Sequence, residues 1–293
     1  MLRRWLTRLR ISDMKQRRLF LTILSYFMSL LIPIVIIGAC GYWYSVHLMK
    51  EQFKERINTT LESSSSAVET YLKTAQETGV NFLNDFSVRR LLMPKEDHTL
   101  EVMSELWRLR HVLQRNENII NDFSDGIFVY IDDQEVYVSG GVNFLQSYFE
   151  RIYRYDRYDT QFWVEKLQSS EPSLEFLPVS RVTHDNGAAK QVVPIVLRQR
   201  LGVDNAIMVL NVSVNAIEQA LQGGAVFDST RFAVVDANGY LVTDQSNIFH
   251  TASGHPDWEA MLQNGQSGEL EVDGSRYLVA QHKSELLGWM YYS

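Results

Sequence analysis

Aromatic and arginine side chains are concentrated in one short stretch of the chain, residues 148–163. Aromatic faces and guanidinium groups together suit the binding of sugars, amino acids or carboxylates. The alternative is that these rings belong to an ordinary core, with tyrosine hydroxyl groups at its surface. The side chains concerned are Tyr148, Phe149, Tyr153, Tyr155, Tyr158, Phe162 and Trp163, interleaved with Arg151, Arg154 and Arg157.

Five residues in and after this stretch are predicted to contact a ligand. Trp163 ends the aromatic run, and Tyr155 and Tyr158 precede it. Arg181 and Arg198 lie on two strands predicted further along the chain, which could bring their guanidinium groups to the same pocket. The expected ligand is a small extracellular solute: a sugar, an organic acid or an amino acid.

Residues with catalytic potential are few. The chain has none of the common hydrolase, metalloprotease or nucleotide-binding motifs. His184 and Asp185 are adjacent, but they lie in a predicted turn, and a catalytic pair also needs a nucleophile within reach. Asp236 and Asn238 resemble part of a calcium loop, yet the distal glutamate is missing, so a hairpin turn is favoured. We therefore expect no enzyme activity, no catalytic residues, no metal site and no cofactor.

The elements that must position these residues begin with an apolar stretch at residues 19–46. It contains no Asp, Glu, Lys or Arg, and about 20 apolar residues suffice for a helix to cross a bilayer. The alternatives are a buried core helix or a signal peptide, but a signal peptide is shorter and ends in small residues. This stretch ends in Tyr42, Trp43 and Tyr44, whose rings favour the headgroup layer. It is predicted to be an uncleaved transmembrane helix, kinked at Pro33.

Charge is distributed unevenly about this stretch. Residues 1–18 carry seven basic residues and one acidic residue, a net charge of +6, so the remainder of the −7 chain carries −13. Basic residues next to a span stay in the cytoplasm. We therefore expect a cytoplasmic tail at 1–18 and an extracellular region at 47–293. The acidic exterior argues against a nucleic-acid partner, and it holds no cysteine, because Cys40 lies in the predicted span.

Residues 47–78 are predicted to form a long helix. They contain neither proline nor glycine, and their apolar residues recur in steps of three and four until Gly79 interrupts the pattern. Such a helix packs on its own domain or also self-associates as a homodimer, and a pattern this short leaves both alternatives open. A second helix is predicted at 97–116.

Two groups of strands follow, separated by Gly223 and Gly224. Turn-rich links and hairpin signals such as Asn238-Gly239 indicate antiparallel sheets. The first group is predicted as strands at 126–131, 135–139, 174–182, 191–201 and 205–212, with helices at 160–167 and at 214–221, the latter capped by Ser213. The second group is predicted as strands at 231–236, 240–243, 268–272, 276–282 and 287–292, with a short helix at 256–262. The fold class is therefore α+β, with two modules built on antiparallel sheets.

Several short motifs in this order of parts carry a resemblance to a known family. They are Leu24-Ser25-Tyr26, Leu31-Ile32-Pro33, residues 127–131 (IFVYI), Asn211-Val212-Ser213 and residues 287–292 (LGWMYY). With them the chain resembles, over essentially its whole length, the N-terminal half of the membrane-bound AraC-type transcription regulators of Paenibacillus-like bacteria. YesM-like sensor histidine kinases have the same kind of outer domain.

The resemblance implies a double Cache ectodomain, in which a long helix carries two PAS-like modules and the membrane-distal module binds the ligand. The amino-acid-binding members of the family carry an Arg-x-Trp-Tyr pattern, of which only Trp163 is matched here. The resemblance also implies a second span and a cytoplasmic output domain, neither of which is found in this sequence, so we expect either that the chain is a fragment or that the output part was lost. The expected organisation is a cytoplasmic tail at 1–18, a transmembrane helix at 19–46, a signalling helix region at 47–93, a membrane-distal module at 94–222 and a membrane-proximal module at 223–293.

These features together predict the extracellular ligand-sensing portion of a membrane-bound transcription or signal-transduction regulator with an AraC-type output. One alternative is the sensor portion of a histidine kinase. The other is a membrane-anchored extracellular enzyme or binding protein without signalling output.

The charge asymmetry gives a direct test of orientation. A reporter fused after residue 15 should be active only in the cytoplasm, and one fused after residue 223 only outside the cell, because the +6 tail precedes an uncharged span. Enzymatic assays of both fusions measure this. The reverse pattern of reporter activity would contradict the predicted topology.

Overall fold

The computed structural model describes residues 14–84, 99–120, 122–131, 135–138, 141–168, 174–201, 204–225, 229–245, 247, 268–272 and 274–293. The helix predicted at 256–262 therefore lies outside the described residues. The chain divides into two units, residues 1–55 and 56–293, and each is described by itself.

Helix α1 spans Met14–Asn84 and contains Pro33. In the first unit its most apolar 18-residue window has a mean hydropathy of 2.5 and is fully exposed. Within the described residues, α1 is the one helix whose length and composition suit a membrane span. This agrees with the transmembrane helix predicted at 19–46, while its orientation stays a prediction.

In the second unit, α1 buries one face. Leu61, Val68 and Leu72 are completely buried, as their helical spacing predicts. The expectation that the helix ends at Gly79 was wrong, since α1 continues to Asn84. A glycine costs a helix only about 1 kcal/mol, and here it permits close packing: a Cβ at Gly79 would lie 2.7 Å from Leu197 Cδ1.

A large antiparallel sheet follows α1. Its described strands run in the order β3-β2-β1-β8-β7-β6-β4, with β5 paired to β7. The strands are β1 (Ser124–Ile131), β2 (Glu135–Val138), β3 (Gly141–Phe144), β4 (Tyr153–Tyr155), β5 (Leu174–Phe176), β6 (Ser180–His184), β7 (Ala189–Leu201) and β8 (Asp204–Ser213). The accompanying helices are α2 (Thr99–Ile120), α3 (Leu145–Ser147, continued by a π-helical turn at Tyr148–Ile152), α4 (Thr160–Gln168) and α5 (Val214–Gly223).

Several details of this sheet differ from the predictions. The single strand expected at 174–182 is two strands, β5 and β6, because Pro178 has no N–H to donate to a ladder. Strands β3 and β4 and the π-helical turn were not predicted. Ser213 does occupy the N-cap position of α5, but its side chain makes no capping hydrogen bond.

The large sheet is buried on both faces. Ile127 and Val129 of β1 pack in one core cluster with α1, whereas Phe128 and Tyr130 pack in a second cluster on the opposite face. Strands β7 and β8 alternate in the same way, as the two-residue period of a strand requires. The interior of the sheet therefore divides into a helix-facing core and an aromatic core.

A small antiparallel sheet forms the C-terminal part. It has the order β10-β9-β14-β13, and a separate hairpin joins β11 and β12. The hairpins predicted at Asn238-Gly239 and Asp273-Gly274 are confirmed, with positive φ at both glycines. The strand expected at 276–282 is divided at Ala280. The strands are β9 (Ala233–Val235), β10 (Leu241–Asp244), β11 (Gly268–Val272), β12 (Ser275–Val279), β13 (Gln281–Lys283) and β14 (Met290–Tyr292).

The junction between the two sheets packs directly on α1. Ser64 Oγ donates a hydrogen bond of 3.2 Å to the carbonyl oxygen of Leu221, at the end of α5. A Cβ placed on Gly224 would overlap Ser64 Oγ and would lie 3.3 Å from its Cβ. Gly223, by contrast, has open space around its Cα.

This packing predicts a position-specific cost. Gly224→Ala should destabilise the protein by about 1–3 kcal/mol through overpacking, and adding Ser64→Ala should recover a large part of the loss because the overlapping oxygen is removed. Gly223→Ala is the matched control and should not destabilise. Denaturant unfolding of the single and double variants measures these effects, and equal effects of the two alanine substitutions would contradict the packing.

Candidate ligand-binding site

Rings from β1, β4, the π-helical turn and α4 form an aromatic cluster on the face of the large sheet away from α1. Trp163 is its centre and is completely buried. Its ring stacks on Phe149 at 5.5 Å between centroids and meets Phe128 edge-on at 5.5 Å. The cluster comprises Phe128, Tyr148, Phe149, Tyr153, Tyr155, Tyr158, Phe162 and Trp163.

Helix α4 holds Trp163 in this position. Asp159 precedes the helix, and its Oδ1 accepts the backbone N–H of Phe162 at 2.8 Å, which is an N-cap interaction. Lys166 near the end of α4 forms an ion pair of 2.6 Å with Glu175 on β5. The cap thus fixes where α4 begins, and the ion pair joins its C-terminal turn to the sheet.

Three of the four tyrosine hydroxyl groups of the cluster donate to a protein acceptor. Tyr155 donates to Asn211 Oδ1 at 2.8 Å, and Tyr158 donates to the carbonyl oxygen of Pro178 at 2.6 Å. Tyr153 donates to Asp125 Oδ2 at 3.0 Å. Burial raises the pKa of all three hydroxyl groups above the ordinary value, because the charged phenolate loses its hydration.

Asp125 places a nearly buried carboxylate beside the cluster. It precedes Gly126, whose positive φ accompanies a shift in the β1–β8 register. Besides the bond from Tyr153, Asp125 contacts His184 Nε2 at 3.0 Å and forms an ion pair with Lys190. Three donors therefore already share this one carboxylate. The ring of His184 thus contacts Asp125, and not Asp185, the chain neighbour considered for a catalytic pair.

Two buried donors in the same region have no acceptor within the described part of the chain. They are Nε1 of Trp163 on α4 and Nδ2 of Asn211 on β8, and both side chains are 0% exposed. Both residues adjoin Tyr155, which bonds Asn211 and whose ring lies 5.4 Å from the Trp163 ring. An unsatisfied buried donor costs about 1–3 kcal/mol, so these two N–H groups are candidate contacts for an acceptor atom of a ligand.

The structure brings together four of the five residues predicted to bind a ligand. Trp163, Tyr155 and Tyr158 are in direct ring contact. Arg198 is half-buried, and its Nη2 donates to the carbonyl oxygen of Lys166 on α4. Arg181 is exposed between buried neighbours on β6, so its side chain lies on the other side of that strand from the cluster.

Sequence reasoning overlooked Asn211 and Asp125 as members of the site. Asn211 interrupts the otherwise apolar run at 206–212, and a polar residue at an inward position of a buried strand is a usable signal. Asp125 gives no such signal, because the bulge at Gly126 decides which way it faces.

Two cavities lie away from the aromatic cluster. One of about 400 Å³ is lined by residues of the small sheet such as Ala233, by residues of the β11–β12 hairpin such as Val279, and by Ile57 of α1. The other, of about 270 Å³, lies between the two sheets beside Phe176 and Trp289. No group of three or more metal-ligating side chains lies together in the part of the chain that the structure describes.

Comparison with known proteins supports the fold. No protein-family model and no curated protein sequence matches the chain. It is similar to a domain of a Vibrio parahaemolyticus protein assigned to the sensory box/GGDEF family, with 12% identity, a TM-score of 0.50, and coverage of 83% of this chain and 93% of that one. It is also similar to the sensor domain of the histidine kinase DctB from V. cholerae, with 12% identity, a TM-score of 0.49, and coverage of 83% and 97%.

A further similar structure is the ligand-binding domain of the Pseudomonas aeruginosa PAO1 amino acid chemoreceptor PctC in complex with GABA. The identity is 13%, the TM-score is 0.46, and the match covers 83% of this chain and 98% of that one. At these identities a likeness shows the fold alone. The predicted α+β fold, in which a long helix accompanies antiparallel sheets of the Cache/PAS-like type, is confirmed.

The buried tyrosines predict an alkaline limit to stability. Their raised pKa means that the folded state holds the phenolic protons more tightly than the unfolded state, whose pKa is about 10. Their contribution is therefore fully present below about pH 10 and is lost as the pH rises further. Phenolate absorbance and circular dichroism, followed together, should show these tyrosines ionising only as the fold is lost.

In Tyr155→Phe, the rise in phenolate absorbance that accompanies the loss of the fold should be smaller by one tyrosine. Complete ionisation of the tyrosines with unchanged circular dichroism would contradict the burial of the cluster.

Proposed function

We propose that this chain is the extracellular ligand-sensing portion of a membrane-bound signalling protein, and that the aromatic cluster of the large sheet binds the ligand. The observation that carries the proposal is the sheet buried on both faces. One face holds the aromatic cluster with its two unsatisfied donors, and the other packs on α1. The same helix, Met14–Asn84, contains the apolar stretch suited to a membrane span.

Signalling in this proposal is a shift in packing. A ligand that binds better to one arrangement of the sheet on α1 favours that arrangement, in proportion to its difference in affinity. The ring stack between Tyr71 of α1 and Phe123 before β1, at 5.2 Å, is one contact that such a shift would alter. Side-chain contacts of this kind have discrete packings, which suits a two-state response.

The finer features of the proposal rest on the sequence. The basic tail supports an extracellular position for residues 47–293, and the motif resemblance supports a membrane-distal module at 94–222. The motif resemblance supports an AraC-type output, and it equally suits a histidine kinase output. The proposed partners are a small solute, the membrane and a second copy of the chain through the helix at 47–78.

The proposal predicts ligand-dependent stabilisation. The full chain, embedded in lipid nanodiscs, should rise in melting temperature with at least one compound from a panel of sugars, organic acids and amino acids. A ligand at 100 times its dissociation constant adds about 2.7 kcal/mol of stability. The measurement is thermal unfolding followed by tryptophan fluorescence.

Matched tryptophan variants locate the binding site. Trp163→Phe keeps an aromatic ring but removes the indole N–H, and should weaken or abolish the stabilisation. Trp107→Phe alters a tryptophan that is 64% exposed on α2 and should leave it unchanged. Truncation of Trp163 to alanine is avoided because losing a buried indole costs about 3–5 kcal/mol regardless of ligand. Stabilisation that survives Trp163→Phe intact would place the site elsewhere.

A further inference from the structure

In the aromatic cluster, hydroxyl groups have hydrogen-bond acceptors within the protein, whereas two N–H donors do not. This difference indicates which groups a ligand would offer. Each hydroxyl group of Tyr153, Tyr155 and Tyr158 donates to an acceptor within the protein. The unsatisfied polar atoms described above are both N–H donors, Trp163 Nε1 and Asn211 Nδ2. The complement of two buried N–H groups is an acceptor oxygen.

Both donors lie in the core between α4 and β8. Helix α4, which carries Trp163, packs on β8, which carries Asn211. Asn211 faces the aromatic core together with Ile207 and Val209 of the same strand. Its Oδ1 already accepts the Tyr155 hydroxyl at 2.8 Å, which orients the amide so that its NH₂ group is the part left over.

The same region offers little to a cationic ligand. An ammonium group needs acceptors, and its preferred partner is a carboxylate. Asp125 is a nearly buried carboxylate beside the cluster, and Tyr153, His184 and Lys190 already contact it. A ligand ammonium would have to displace the Lys190 ammonium group, which is tethered and therefore competes at high effective concentration.

From these observations we infer that the ligand presents a carbonyl, carboxylate or hydroxyl oxygen to Trp163 and Asn211 and carries no ammonium group. This inference rests on the proposed sensing function and specifies its ligand class. Organic acids and neutral sugars belong to the class, whereas amino acids and amino sugars do not. Aromatic faces around the donors suit the apolar part of either kind of compound.

Three matched pairs of compounds test the class. Each pair shares a carbon skeleton, and one member carries an ammonium group: lactate and alanine, 2-oxoglutarate and glutamate, glucose and glucosamine. Thermal unfolding of the full chain in nanodiscs should show stabilisation by ammonium-free members only. A response to lactate or 2-oxoglutarate identifies an acid, and a response to glucose identifies a sugar. Stabilisation by the ammonium member of any pair to an equal or greater extent overturns the inference.

Variants tie the response to the two donors. Asn211→Asp keeps the oxygen that Tyr155 bonds but replaces the NH₂ donor by an acceptor, so the affinity for the responding compound should fall roughly tenfold or more. Asn186→Asp is the matched control, since Asn186 is exposed and its Oδ1 likewise accepts a backbone N–H, from Ala188. Should Asn211→Asp fail to fold, Trp163→Phe removes the other donor and should weaken binding by a similar factor.

Unchanged affinity in both donor variants overturns the assignment of the donors. A wild-type chain that responds to none of the six compounds overturns the ligand class. The broader panel described above then decides separately whether the sensing function stands.

Discussion

The burial of the large sheet on both faces is the constraint on which the rest of the structure depends. Alternate residues of β1, β7 and β8 belong to two different cores, one shared with α1 and the other filled by the aromatic cluster. Because neighbouring residues of a strand point to opposite faces, a displacement of Phe128 toward or away from α4 also displaces Ile127 and Val129 against α1. Protein interiors are close-packed and yield by discrete repacking rather than by smooth deformation. The pleat of this sheet thus couples the packing of the aromatic cluster to the packing of α1.

Helix α1 has small residues at its closest contacts with the elements that pack on it. Small residues stand where the backbone of another element comes close: Gly79 against Leu197, and Ser64 against Gly224 and the end of α5. Farther toward its N-terminus, Ile57 borders a cavity of the small sheet. The residues that meet the large sheet therefore lie beyond those that meet the small sheet, counted from the apolar stretch.

Periodicity predicted much of this architecture, and local chemistry explains where it failed. The helical stripe at Leu61, Val68 and Leu72 and the hairpins at Gly239 and Gly274 were recognisable because they depend on neighbours in the sequence. The continuation of α1 through Gly79 was not, because it depends on a packing partner more than a hundred residues away.

For the site, the aromatic run marked Trp163 and Tyr155, but Asn211 and Asp125 acquire their roles only through strand pairing and a bulge. Arg181 was predicted from the sequence to contact the ligand, but it does not face the cluster. Its neighbour one residue along β6 faces the cluster instead.

Satisfaction of the Trp163 indole N–H by a bound oxygen is the central physical claim of the account. The most direct measurement is the ¹H–¹⁵N spectrum of the six tryptophan indole groups of the chain, with the Trp163 signal assigned through the Trp163→Phe variant. On addition of a stabilising compound, the account predicts that the Trp163 indole proton moves downfield, as a newly hydrogen-bonded proton does, while the exposed Trp107 signal stays in place. A stabilising compound that leaves the Trp163 signal unmoved would contradict the account.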